Sequence, residues 1–300
     1  MFDVIIVGAG TAGLSAAIYT SRSGKKALIL ESRAYGGQII NTPEIENYPG
    51  IRNISGFEFA TGLYEQAVGL GAEVRYEKVL SIEDEGEIKV VNTPENSYEC
   101  KAVILATGAK NRQLGLKREQ ELTGAGISYC ATCDGAFYRN KDVAVAGGGN
   151  TAVEDALFLS QYCSKVYVVH RREAFRADPR EIERLKNREN VEFVLNANVV
   201  SLLGEERLEA IEVKDKNNGQ IKRIPVAGLF IAIGQEPDNQ AFKDLVALDG
   251  SGYVMAGEDC LTNVKGIYTA GDCRTKVVRQ LTTAAADGAV AALAACERII

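Results

Sequence analysis

The sequence predicts an α/β chain of two parallel-sheet domains, the second inserted in the first, on three observations. Near the N-terminus a short β-branched run, Val4-Ile5-Ile6-Val7, turns through Gly8-Ala9-Gly10-Thr11-Ala12-Gly13 into a helical stretch. The same order returns in mid-chain, where Val143-Ala144-Val145-Ala146 leads into Gly147-Gly148-Gly149-Asn150-Thr151-Ala152. A third run, Gly266-Ile267-Tyr268-Thr269-Ala270-Gly271-Asp272, followed by an Ala-rich helical stretch over about 281–296, closes the first copy late. The first domain is therefore expected at residues 1–112 and 243–300, with 113–242 inserted between its halves.

Each element follows from its residues. Val4 to Val7 is apolar at every position, the pattern of a strand buried on both faces of a parallel sheet. Leu14 to Tyr19 then reads as helix, and a second strand, Ala27 to Leu30, ends in Glu31, 18 residues after Gly13. Glycines are needed because the turn is sharp, the backbone must approach a pyrophosphate, and the helix must pack close to the strand. The phosphates then meet free N–H groups at the helix N-terminus. An acid at Glu31 can bind a ribose hydroxyl. In the second copy, a helical stretch from Val153 to Tyr162 and a strand from Lys165 to Val169 end in His170-Arg171-Arg172, and His170 again lies 18 residues after Ala152. Arg176 follows one helical turn beyond Arg172. Cations in place of the acid suit a 2'-phosphate, which favours NADP over NAD. Strand-rich meanders over 72–91 and 190–213 lead to the buried runs Ala102 to Gly108 and Leu229 to Gly234. Both copies thus follow one plan, a Rossmann-like, three-layer nucleotide-binding domain. Asp272 either reaches a nucleotide's sugar or ribitol chain or caps the final helix, and the sequence leaves both readings open.

Composition bounds the function. A length of 300 residues fits two domains of ordinary size, and 46% hydrophobic with 25% charged residues is ordinary soluble globular composition. A net charge of -6 without a long basic run argues against nucleic acid as a partner. Seven cysteines are too few for a disulfide scaffold, and their odd count fits a reducing cytoplasm. The apolar N-terminus carries Asp3 in place of a basic segment and meets glycines at once, so it reads as neither signal nor anchor; no run approaches the roughly 18–20 apolar residues of a membrane span. His170 is the only histidine, which removes Ser-His-Asp and Cys-His mechanisms and leaves a carboxylate, Lys or Tyr as any catalytic acid.

The stretch Ser128-Tyr129-Cys130-Ala131-Thr132-Cys133-Asp134-Gly135 sets two cysteines three residues apart beside an acid. A structural zinc site needs about four ligands, and the chain has no second CxxC and only the one histidine, so no metal is expected. Cys100, Cys163, Cys260, Cys273 and Cys296 are scattered singly and read as small buried apolar residues. On a helical turn, Cys130 and Cys133 come close enough to join. If Ser128 caps that turn, the helix dipole lowers the thiol pKa. Asp134 can protonate a leaving thiolate. Two dinucleotide sites in one chain suggest that one cofactor hands electrons to the other, NADPH to FAD, with the dithiol as the next station.

Together these residues resemble the low-molecular-weight bacterial thioredoxin reductases over essentially the whole chain. The motifs are GAGTAG, GGQ at Gly36 to Gln38, ENYPG at Glu46 to Gly50, ATG at Ala106 to Gly108, CATCDG, GGGNTAVED, HRREAFRA, AGD and Arg279-Gln280. The resemblance implies FAD held by Gly8, Gly10, Gly13, Glu31, Gln38, Asn47, Asp272, Arg279 and Gln280. It implies NADPH held by Gly149, Asn150, Thr151, His170, Arg171, Arg172 and Arg176. It gives Cys133 the flavin side, Cys130 the exchange with thioredoxin and Asp134 the role of acid, a division between the cysteines that the residues alone leave open. A homodimer is implied as well. The dithiol must then lie near or below thioredoxin's roughly -270 mV to reduce it. Since the dithiol and the NADP turn share one domain and the flavin belongs to the other, the inserted domain is expected to rotate about crossings near 111–115 and 238–242. A flavin-binding redox sensor, needing no turnover, is the alternative from another class.

Overall fold

A computed structural model describes residues 1–42 and 44–299. The chain divides into two compact units, Met1–Lys110 with Glu236–Ile300, and Asn111–Gln235.

The first unit runs β1 (Phe2–Val7), α1 (Thr11–Arg22), β2 (Ala27–Leu30), α2 (Gly56–Gly69), β3 (Glu73–Arg75), β4 (Ser81–Glu85), β5 (Ile88–Asn92) and β6 (Ser97–Leu105). Strands β3, β2, β1 and β6 are parallel in that order, and β5 and β4 extend the sheet antiparallel. The chain leaves through β7 (Ala109–Asn111). The second unit runs β8 (Ile127–Ser128), α3 (Ala131–Asp134), β9 (Asp142–Gly147), α4 (Asn150–Leu159), β10 (Lys165–His170), α5 (Pro179–Lys186) and β11 (Val191–Leu195). A three-stranded antiparallel meander follows, β12 (Ala197–Leu203), β13 (Ala210–Asp215) and β14 (Ile221–Pro225), and then β15 (Gly228–Ala232). Its parallel sheet has the order β11-β10-β9-β15-β8. The return crossing, β16 (Gln235–Pro237), pairs with β7. Finally β17 (Ile267–Thr269) joins the first sheet parallel to β6, and α6 (Leu281–Arg298) ends the chain.

Alternation along the strands explains their unbroken apolarity. Val4, Ile6, Ile29 and Ile104 face Ala12, Ala16, Ala291 and Ala295 of α1 and α6, whereas Ile5, Val7, Leu28 and Leu105 face Val79, Ile82, Val91 and Phe242. With both faces covered, the central strands β1 and β2 and the C-terminal half of β6 are apolar at every buried position. The second unit repeats this: Val143, Val145 and Phe230 pack on α4, and Ala144, Ala146 and Leu229 pack on the meander. Helix α6 is rich in small residues because it lies so close to α1 that a Cβ on Gly288 would stand 2.2 Å from the Ala12 carbonyl oxygen.

The second crossing falls at 235–236 rather than at the expected 242–243. Phe242 and Val246 are buried in the first unit's core, and Asn239, 1% exposed, accepts from Thr107 Oγ1 and donates to the Gly252 and Cys273 carbonyls. The first crossing, at 110–111, precedes the expected 112–113. Helices α1 and α4 also begin earlier than their apolar residues suggest, because the ends of the glycine turns are already helical.

Candidate active site

In the first unit the glycine turn is built by close backbone approach. A Cβ on Gly8, whose φ is +107°, would lie 2.4 Å from the Ala106 carbonyl oxygen, and one on Gly13 would lie 1.9 Å from that of Gly8. Gly10 differs: it is the N-cap of α1, carries no side-chain cap, and its missing Cβ points to open space with nothing within 4 Å. Free helical N–H groups behind an open glycine form an anion cradle. Glu31, at the end of β2, accepts from Ala9 N–H at 2.8 Å and Arg33 N–H at 2.9 Å, which sets its carboxylate beside the turn. The GGQ segment docks on the same turn through Gly36 N–H to the Ala9 carbonyl at 2.8 Å, and Gln38 Nε2 donates to the Ala109 carbonyl. Asn47 Nδ2 reaches Gln280 Oε1 at 3.3 Å.

Gln280, not Asp272, caps α6, in a capping box with Thr283. Asp272 sits in the short turn Gly271–Cys273 with Oδ1 buried and unpartnered, and burial pushes its carboxyl above the usual range against the pull of Lys276 and Arg279. Arg279 lies over the Tyr253 ring at 4.3 Å, and its Nε is likewise buried without a partner. Leaving such groups unpaired costs about 1–3 kcal/mol each. A donor-rich and acceptor-rich ligand answers both, so these residues fit a flavin dinucleotide with its hydroxylated chain.

The second unit repeats the turn. A Cβ on Gly147 would lie 2.3 Å from the Ala232 carbonyl oxygen, as Gly8 does against Ala106, and Gly149 is the uncapped N-cap of α4 with nothing within 4 Å. Arg176 N–H donates to the Gly148 carbonyl at 2.8 Å and Asp178 N–H to Asn150 Oδ1 at 3.0 Å, so the basic segment is pinned to the turn. Thr151, in the first turn of α4, is exposed beside it. Arg171, Arg172 and Arg176 are exposed and form no ion pair among the described residues. His170 departs from the expected cation. Its ring is buried, 5.0 Å from the Phe175 ring, with Nε2 3.2 Å from the Ala174 carbonyl oxygen. Burial lowers its pKa below the ordinary 6.5, the three arginines add to that, and the Ala174 carbonyl opposes it. The ring is therefore neutral at pH 7 and supports Gly148, whose Cβ would stand 2.0 Å from its Cε1. Gly148→Ala is expected to cost about 1–3 kcal/mol of stability by overpacking and, if this turn takes a pyridine nucleotide, to weaken it about tenfold with flavin content unchanged. Thermal melts and nucleotide titrations check this.

The two cysteines are joined, with Cα atoms 5.3 Å apart. Ser128 does not cap the helix. Cys130 is itself the N-cap, in extended conformation, and Ser128 Oγ accepts from its N–H at 3.0 Å. Pairing of β8 with β15 holds the chain extended through Ser128, so α3 has only four residues and little dipole to offer. Asp134 is half-buried, and burial raises its carboxyl above the usual range while a hydrogen bond from Ser128 pulls it down. The acid thus keeps its proton further toward neutrality, as a donor to a thiolate requires. The other five cysteines are buried free thiols; burial pushes Cys100 and Cys260 up to about 12 and Cys163 up to about 11, which makes them inert.

Residues 2–288 match the pyridine nucleotide-disulphide oxidoreductase family. The chain belongs to this family. Among its relatives are thioredoxin reductases of Listeria innocua, 41% identical over 97% of this chain and 92% of that protein, and of Treponema pallidum, 41% identical over 99% and 97%. The solved thioredoxin reductase of Streptococcus pyogenes is similar with a TM-score of 0.95 at 41% identity, covering 99% of this chain and 97% of that one. That of Giardia duodenalis has a TM-score of 0.94 at 32% identity, covering 99% and 98%. The protein is accordingly an oxidoreductase of the pyridine nucleotide and disulphide class.

Two residues of this oxidoreductase escaped the motif reading. Glu119, 2% exposed, accepts from the N–H groups of Leu114, Gly115 and Leu116 and from Tyr129 Oη at 2.8 Å, tying down the residue before Cys130. In sequence it sits in Lys117-Arg118-Glu119-Gln120-Glu121, which looks like a solvated face. Asp287 is the other, and its only signal is an acid inside an Ala-rich helical stretch. Among the described residues no helix is long and apolar enough to cross a membrane.

Proposed function

We propose that the protein reduces thioredoxin with electrons from NADPH, through FAD bound in the first unit and the Cys130–Cys133 pair of the second. The observation that carries this reading is the Cys130–Cys133 disulfide next to Asp134, whose carboxyl burial raises above its ordinary range, in the same unit as a glycine turn pinned to a segment whose three exposed arginines form no ion pair among the described residues.

In this reading Gly8, Gly10 and Gly13 with the N–H groups of α1 hold the FAD pyrophosphate, and Glu31 takes a ribose hydroxyl. Asp272 takes the ribitol chain, with Gln38, Asn47, Arg279 and Gln280 supplying further polar contacts. Gly149, Asn150 and Thr151 take the NADPH pyrophosphate at the start of α4. Arg171, Arg172 and Arg176 grip the 2'-phosphate through charge-assisted hydrogen bonds, and His170 backs the turn without contributing charge. FAD held there would supply two-electron chemistry, making an electron pair from the pyridine nucleotide's hydride available to the Cys130–Cys133 disulfide. Cys133 receives that pair, the sulfur–sulfur bond breaks, and Cys130 leaves as a thiolate that Asp134 protonates. The Asp134 carboxylate takes that proton back, and the Cys130 thiolate attacks the disulfide of thioredoxin and expels one of its sulfurs, which takes up a proton. The Cys133 thiolate then attacks Cys130 in the mixed disulfide, expels the second thioredoxin sulfur, which is protonated from solvent, and restores the internal bond. The sum is NADPH, a proton and a protein disulfide converted to NADP⁺ and a dithiol. Under the same reading the protein works as a homodimer in the cytoplasm.

Anaerobic stopped-flow absorbance tests it. The expected result is bleaching of the flavin band by NADPH and continuous NADPH oxidation only when oxidised thioredoxin is added. Bleaching without turnover on thioredoxin or any other small disulfide protein would establish a redox sensor instead.

A further inference from the structure

Helix α6 carries one acid on its buried face. Asp287 is 5% exposed, and next to it stands Gly288, where α6 touches α1. A carboxylate so placed is costly unless fully hydrogen-bonded. Four bonds satisfy it: Gly271 N–H at 2.9 Å, Arg274 Nε and Nη2 each at 2.8 Å, and Lys276 Nζ at 2.9 Å. The Arg274 fork is bidentate, and the side chains of Arg274 and Lys276 are 1% and 4% exposed. Burial works to raise the Asp287 pKa, but Arg274, Lys276 and Gly271 outweigh it, so the group stays ionised.

All these donors come from one stretch, and they bracket Asp272. Gly271 has φ +80°, and its Cβ would stand 2.8 Å from the Ala12 Cβ, so the turn before Asp272 is pressed against the start of α1. Asp272 takes no part in the cluster, and its Oδ1 remains buried and unpartnered. A rigid clamp on either side of an unsatisfied carboxylate is the arrangement that presents an acceptor to a ligand rather than to the protein.

We propose that Asp287 is a positioning residue of the flavin site: it clamps Gly271 and Arg274 on either side of Asp272 and so fixes the Asp272 carboxylate for the cofactor's hydroxyl groups. This rests on the reading of Asp272 as a flavin contact.

A double-mutant cycle on the full chain tests it. Apoprotein is prepared by flavin removal and titrated with FAD, following quenching of the FAD fluorescence, for the native chain, Asp272→Asn, Asp287→Asn and the double variant. Asp272→Asn is expected to weaken FAD by about tenfold, the loss of one charged hydrogen bond. Asp287→Asn is expected to weaken it by a similar factor in the native background and by less than about twofold when Asp272 is already changed. An equal loss in both backgrounds, or a lowered melting temperature with unchanged FAD affinity, would make Asp287 a structural charge only and overturn the proposal. If Asp272→Asn itself leaves FAD affinity intact, the reading of Asp272 fails; if it weakens FAD and Asp287→Asn does not, the clamp alone fails. Arg274→Lys keeps the charge and loses the fork. It guards against misfolding of Asp287→Asn, with several-fold weakening that again depends on Asp272 as the expected result and unchanged affinity as the contrary one.

Discussion

Cys130→Ser or Cys133→Ser lowers thioredoxin reduction by at least about a thousandfold while NADPH still reduces the flavin. A serine hydroxyl neither forms a disulfide nor ionises near neutrality, so with either substitution the electron pair has no dithiol to enter and no exchange can follow. The loss falls on kcat and on kcat/KM alike, because it removes a reacting atom rather than a binding contact. Fold damage is a poor explanation for such a loss. The ring between residues 130 and 133 is small, and opening it costs roughly 2 kcal/mol by loop entropy. Steady-state turnover and single-turnover flavin bleaching, measured side by side, separate the two steps. Normal thioredoxin reduction by either variant would remove the dithiol from the path.

Arg171→Ala combined with Arg172→Ala lowers kcat/KM for NADPH on the order of 10²–10³-fold and leaves NADH within a few-fold. Each guanidinium supplies about 1.5–3 kcal/mol when it meets a phosphate through charge-assisted hydrogen bonds. Their exposure puts the effect toward the lower part of that range and makes it weaken with added salt. His170 does not compensate, since its buried ring is neutral at pH 7. Comparing the two nucleotides isolates the 2'-phosphate. An equal loss for NADPH and NADH would mean that the arginines shape the loop rather than read the phosphate.

Much of the site was legible because its parts are local. A strand, a glycine turn and a helix lie next to one another in the chain, and the steric reason for Gly13 lies within its own turn, against Gly8, whereas Gly8 and Gly147 are needed against Ala106 and Ala232, which arrive from distant strands. The CxxC and its neighbouring acid are contiguous as well. Ser128 shows where this stops: whether it caps the cysteine turn depends on how far β8 stays extended, which is set by pairing Ile127 and Ser128 with Leu229 and Phe230, about a hundred residues away. The boundary near 242 failed for a similar reason. The chain there looks like a linker, but Phe242 finds a place in a core built from β1, β2 and β6.

By itself, the sequence determined the two nucleotide turns, the doubled plan and the redox pair, because strand, turn and helix are contiguous in each copy, as are the two cysteines, and helix-end charge acts over a few residues. Only the tertiary structure decided that His170 is a neutral support, that Asp272 is an unpartnered carboxylate rather than a helix cap, and that Asp287 holds the turn beside it. Those outcomes depend on burial and on which donors arrive from distant segments, and burial is a property of the packed chain rather than of any stretch of it.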